Sequence, residues 1–99
     1  MGLRVKLHGR FRMAAGTEEI EVPDTVRNVG DLLEQLTNKL GLDVRSFIFE
    51  AGTNELSPRL IILVNGHSIR MLDGLRTQLA KRDSVIIDSV DIMEVVGGG

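Results

Sequence analysis

A chain of 99 residues and 10.9 kDa holds a single domain with one modest core. Hydrophobic residues at 42% against charged residues at 26% describe a globular protein, and the absence of cysteine excludes a disulfide framework, a Cys-built zinc site and a thiol nucleophile. A net charge of −2 with no Trp and no Tyr argues against nucleic acid as a partner, and two histidines are too few for most His-built metal centres.

In chain order, Leu3, Val5 and Leu7 alternate with Arg4, Lys6 and His8, which predicts a strand with one buried and one basic face. Ala14-Ala15-Gly16-Thr17 reads as a turn. Ile20 and Val22 alternate with Glu19 and Glu21, giving a second, acidic strand that pairs with the first as an antiparallel hairpin and ends at Pro23-Asp24. A helix follows. Asn28 is its N-cap, Asp31 stands three residues on, and Val29, Leu32, Leu33, Leu36 and Leu40 form one apolar stripe that stops at Lys39 and Gly41. Val44 to Phe49 reads either as a short strand or as an apolar loop, and Glu50 to Pro58 as loop.

Leu60 to Val64 is an apolar run bounded by turn residues and is expected to be a central strand. Asn65-Gly66 after it is the sequence of a type I′ turn, with His67 to Met71 as a short return strand. Leu72, Leu75 and Leu79 predict a brief helical turn, and Val85-Ile86-Ile87 within Ser84 to Asp88 a last strand. The longest strongly apolar run, Leu60 to Val64, is far short of the about 20 residues a spanning helix needs. Met1-Gly2 opens like a myristoylation signal, but Lys6 stands where that signal has Ser or Thr, and no apolar signal-peptide core follows. The expectation is a cytoplasmic protein with no membrane partner.

One helix cannot cover both faces of such a sheet, so an α+β layout with the helix packed on one face is expected. Residues 60–64 then point Leu60, Ile62 and Val64 at the helix and Ile61 and Leu63 away. Ile86 of the last strand also faces outward, leaving an apolar patch beside the Arg4, Lys6 and His8 stripe. Such patches mark partner sites.

Conventional catalytic chemistry finds little support. His67-Ser68 is a hairpin tip, His8 lies on the outer face of the first strand, and Asp88, Asp91 and Glu94 read as a charged face rather than a metal site. The glycines match neither a dinucleotide fingerprint nor a phosphate-binding loop. Gly97-Gly98-Gly99 differ in kind. A glycine end is either a passive tail or a thread that enters a channel too narrow for side chains, presenting its own carboxylate to an adenylating site on another protein.

Leu63-Val64-Asn65-Gly66, Leu72-Asp73-Gly74-Leu75-Arg76-Thr77-Gln78-Leu79, Asp83-Ser84-Val85-Ile86-Ile87 and Gly98-Gly99, together with Val29-Gly30-Asp31-Leu32-Leu33-Glu34-Gln35-Leu36, resemble the molybdopterin-synthase small subunit and the small archaeal modifier proteins, all ubiquitin-like β-grasp proteins. The stretch Asp88 to Val96 departs from that family's proline-containing tail, and three glycines stand where the family has two.

The resemblance implies a mixed sheet of four to five strands, with 1–89 as the domain and 90–99 as a flexible tail. It implies a carrier without catalytic residues, cofactor or metal, whose Gly99 or Gly98 carboxylate is adenylated by a ubiquitin-activating-type enzyme that uses ATP. The end then becomes a thiocarboxylate serving the molybdopterin-synthase large subunit, or an isopeptide to target lysines. Ile61, Leu63 and Ile86 would dock the partner; Lys6, Lys39 and Lys81 would be conjugation acceptors; the free protein would be a monomer. The other reading is a β-grasp interaction module with a passive tail.

Overall fold

Strand β1 forms where the alternation predicts it. In the computed structural model, which describes residues 2–23, 25–50, 52–53, 55–79, 81–82, 85–86 and 89–95, β1 spans Gly2–Leu7 with Leu3, Val5 and Leu7 buried and Arg4 and Lys6 exposed. It pairs antiparallel with β2 (Glu19–Pro23), setting Arg4 opposite Glu21 and Lys6 opposite Glu19. Opposite charges thus face each other across the two strands, and Arg4 also reaches Glu19 at 3.5 Å.

Their connection is a helix rather than the simple turn expected at residues 14–17. α1 (Arg10–Ala15) runs between Gly9 and Gly16, both at positive φ. Its apolar signal is a single anchor, the fully buried Phe11, while Met13 is 82% exposed, so no stripe announces it.

α2 (Val29–Leu40) begins as expected. Asn28 Oδ1 accepts from the Asp31 N–H at 2.8 Å, and Asp31 Oδ2 accepts from the Arg27 N–H at 3.2 Å. Val29, Leu32, Leu33 and Leu36 are buried, and the Gly41 N–H closes the helix on the Thr37 carbonyl. Residues 44–48 are neither strand nor apolar loop: they belong to α3 (Leu42–Ile48), which buries Val44 and Ile48 at helical spacing, while Phe49 caps it in extended conformation and bridges to Leu56.

β3 (Leu60–Val64) and the turn after it match the sequence, with Asn65 at φ 53° and Gly66 at φ 84°. The return strand is shorter than expected. β4 is His67–Ser68 alone, because the Ser68 hydroxyl accepts from the Arg70 N–H and starts a 3₁₀ turn at Ile69–Met71. A second 3₁₀ turn, Gly74–Arg76, leads to a segment stitched to the start of α2 by Val29 N–H to Thr77 carbonyl and Leu79 N–H to Arg27 carbonyl, 3.0 Å each. Gly30 permits this approach, since a Cβ there would lie 3.3 Å from the Leu75 carbonyl oxygen.

The end of the chain holds the largest departure. Val85–Ile86 form β6, which pairs with β5 (Lys81–Arg82) in a separate two-stranded ribbon. The last strand of the main sheet is β7 (Val90–Glu94), in residues that the sequence assigned to a flexible tail. It runs parallel to β1, with Val5 opposite Val90, and antiparallel to β3, with Ile62 opposite Ile92. The proposed boundary at residue 90 therefore fails for Val90–Glu94, and Gly97, Gly98 and Gly99 lie outside the described residues.

Among the described residues the sheet order is β2-β1-β7-β3-β4. Buried side chains from β1, β2, β3 and β7 form one core with α2 and α3. A mixed sheet gripping a helix on one face is the β-grasp arrangement, and the α+β expectation holds.

Candidate functional site

The tail leaves from the middle of the sheet. β7 delivers the chain at Glu94, and the ladder with β3 extends one residue further: the Val95 N–H donates to the Arg59 carbonyl at 2.8 Å. The Arg59 guanidinium lies 3.5 Å from the Val95 carbonyl oxygen. Arg59 is itself held from behind, because it follows a Ser57-Pro58 turn whose Ser57 and Leu60 carbonyls both accept from Arg70 Nη2, at 2.8 and 2.9 Å. Val95, the last described residue, is thus held by a braced turn.

Beside this exit lies a cleft of about 360 Å³ lined by His8, Gly9, Arg10, Arg59, Met93, Glu94 and Val95. Its charges are mostly matched. Glu94, whose side chain is 14% exposed, receives Arg10 Nε and Nη2 in a fork at 2.5 and 2.6 Å. The Arg10 guanidinium also sits 3.9 Å over the Phe47 ring, which meets Phe11 edge-on. An inward-facing glutamate at the end of a central strand is in this way paired and covered. His8 Nε2 stands 3.0 Å from Asp91 Oδ1. Among the described residues no carboxylate lies within ion-pair distance of Arg59.

The outer sheet face carries the expected patch with altered membership. Ile61 and Leu63 are half-buried and point away from α2, between the buried Leu60, Ile62 and Val64. Met93 stands directly opposite Ile61, and Asp91 opposite Leu63. Met93 escaped the sequence reading because its strand did; the alternation Val90-Asp91-Ile92-Met93 was the available signal. Ile86 is not a neighbour of this patch through the main sheet, since β6 belongs to the separate ribbon, and its side chain lies outside the described residues. Basic residues flank the patch: Lys6 is opposite both Asp91 and Glu19, and His8 is bonded to Asp91.

The proposed acceptor lysines differ. Lys6 is exposed on the outer face, and Lys39 is exposed but donates Nζ to the Glu21 carbonyl at 2.7 Å, covering the open edge of β2. The Lys81 side chain lies outside the described residues. His67 is exposed at the hairpin tip with Ser68 beside it. Among the described residues no cluster of His, Asp or Glu could hold a metal ion, and no helix is long and apolar enough to cross a membrane.

Known proteins share this geometry. A family model described as the ThiS family matches residues 5–99. A curated protein of Archaeoglobus fulgidus, provisionally described as a sulfur carrier protein, is 33% identical over 100 residues and spans 100% of both chains. The solution structure of small archaeal modifier protein 1 from Methanosarcina acetivorans has a TM-score of 0.80 at 35% identity, covering 98% of this chain and 95% of that one. The crystal structure of the Haloferax volcanii protein of the same name has a TM-score of 0.73 at 25% identity, with 100% of each chain covered.

Proposed function

The chain belongs to the ThiS family of ubiquitin-like β-grasp sulfur carriers and modifiers, and from that premise we propose that its C-terminal glycine carboxylate is the group that reacts. A carboxylate oxygen attacks the α-phosphorus of ATP, pyrophosphate leaves, and an acyl-adenylate forms. A sulfide-equivalent donor then attacks the acyl carbon, expelling AMP and leaving a thiocarboxylate; a lysine amine attacking the same carbon gives an isopeptide instead. The chain supplies the reacting end and no catalytic side chain. Adenylation belongs to a ubiquitin-activating-type enzyme in the cytoplasm, where ATP is at hand.

One observation carries the reading: β7 leads from the sheet centre to an exit braced by Arg59, beside an apolar patch on the open face. A reactive end needs a fixed point of departure and an adjacent surface by which the partner takes hold. Ile61, Leu63 and Met93 would be that surface, and Gly98-Gly99 the thread entering the partner's nucleotide site. Glycine suits that thread because it has no side chain to exclude. The receiving partner after activation would be a molybdopterin-synthase large subunit or target lysines.

The test is ATP–pyrophosphate exchange with the cognate activating enzyme. Deleting Gly98 and Gly99 is expected to abolish exchange while leaving Tm unchanged, and Gly98→Val to slow it severely. Exchange at the wild-type rate by the deletion variant would leave the passive interaction module as the better account. Intact mass of protein isolated from its source separates the two outcomes. A gain of about 16 Da marks oxygen replaced by sulfur, whereas a glycine remnant on lysine marks conjugation.

A further inference from the structure

Asn65 does more than occupy a turn. Its N–H donates to the Ser89 carbonyl at 2.9 Å, and its side-chain Oδ1 accepts the Ser89 N–H at 2.9 Å, with Ser89 Oγ at 3.5 Å from the same oxygen. The registered ladder of β3 and β7 ends at Val64 opposite Val90, so Asn65 and Ser89 are the next pair outward. Asn65 sits at φ 53°, which turns its own backbone carbonyl away from the ladder. The side-chain carbonyl stands in for it. Asn65 thereby clips the start of β7 to the hairpin turn, as Arg59 holds its other end.

Asparagine followed by glycine is also the sequence in which the side-chain amide is most open to attack by the next backbone nitrogen, because Gly66 has no side chain to hinder it. We propose that Asn65 is a fold-guarded deamidation site, and that its conversion to isoaspartate opens the clip at the start of β7. The Gly66 nitrogen loses its proton and bonds to Asn65 Cγ; the Cγ–Nδ2 bond breaks and ammonia leaves. Water then adds to the succinimide and opens it to aspartate or isoaspartate. In the folded chain the ring cannot close while Oδ1 is held by Ser89 and the backbone is held in the left-handed region. Aspartate keeps an acceptor where Oδ1 stood. Isoaspartate routes the main chain through Cβ and Cγ and adds a backbone atom to a two-residue turn. The former side-chain carbonyl becomes the peptide carbonyl and the new carboxylate hangs directly from Cα, so no acceptor stays where Oδ1 stood and the Ser89 N–H loses its partner.

The full-length chain is incubated in mildly alkaline buffer with and without denaturant, and residue 65 is followed by peptide mapping for a mass gain of about 1 Da. The native chain is expected to accumulate product at least about tenfold more slowly than the denatured one, since reaction requires local opening. Equal rates, or no product at residue 65 in the denatured chain, would overturn the proposal. Ser89→Pro removes the N–H that engages Oδ1 and is expected to bring the native rate toward the denatured one; a folded variant that deamidates as slowly as wild type also overturns it. Should that variant not fold, amide exchange on the isolated isoaspartate form of the wild-type chain decides. Protection of the Ser89 N–H is expected to be lost, and undiminished protection there refutes the clip.

Discussion

β3 and β7 are neighbouring strands of equal length whose residues pair one to one, yet their sequences have little in common. β3 is Leu-Ile-Ile-Leu-Val, apolar at every position, although it buries only alternate side chains. β7 is Val-Asp-Ile-Met-Glu, with Val90 and Ile92 buried, Asp91 and Met93 outward, and the inward Glu94 neutralised by Arg10. The core sees almost the same thing from both: two or three branched side chains against α2. What differs is the open face. On β3 it is apolar, and on β7 it is half charged. A continuous apolar run is therefore no measure of how central a strand is when one face of the sheet lies open; period-2 alternation is the stricter guide.

The sharpest way to break this equivalence is truncation. A chain ending at residue 89 lacks β7 and is expected not to fold, shown by loss of amide dispersion in NMR spectra, whereas removal of Gly98 and Gly99 alone leaves the spectrum intact. Next in size, Ile92→Ala and Ile62→Ala are each expected to cost about 2–5 kcal/mol in denaturant unfolding, since both side chains are fully buried and face each other. A loss at Ile92 below about 0.5 kcal/mol would return β7 to the status of a tail. Gly66→Val forces a branched residue to φ 84° and is expected to cost about 1–2 kcal/mol; a variant with wild-type Tm would refute the tight turn. A double-mutant cycle on Arg10 and Glu94 is expected to give a coupling of about 1 kcal/mol at most, because Arg10 is 50% exposed. Smallest in stability, Ile61→Asp or Leu63→Asp on the open face is expected to shift unfolding by less than about 1 kcal/mol while raising KM for the chain in pyrophosphate exchange.

Features written in local chemistry were legible. Asn28 with Asp31, the leucine stripe of α2 and Asn65-Gly66 each encode their geometry within a few residues, and the structure matches all three. Features that depend on distant partners were not. Phe11 anchors the helix of residues 10–15 through the core that receives it, and Glu94 stands on the inward side of a central strand paired with Arg10, 84 positions earlier. Val85-Ile86-Ile87 outweighed Val90-Asp91-Ile92 because counting apolar residues ignores which faces are covered. At the candidate site, Ile61 and Leu63 followed from β3 alone, whereas Met93 and Arg59 required knowing what lies beside them.

The parallel pairing of β1 with β7 has a consequence for how the molecule comes to exist. The β1–β2 pair and α2 can assemble from nearby residues, but Val5 must wait for Val90 and Leu7 for Ile92. Closing a loop of that length costs about 4 kcal/mol of chain entropy, taking (3/2)RT ln n. The middle of the sheet is therefore expected to be the last part to be filled, since its β1–β7 pairing spans the greatest sequence separation. During synthesis the nascent chain exposes the segments of β1 and β3 before β7 exists to lie between them, so both present bare backbone groups and uncovered apolar side chains as edges without a partner. Until β7 emerges and inserts, those edges invite strands from other molecules, so the growing chain is most open to aggregation just before its sheet is complete.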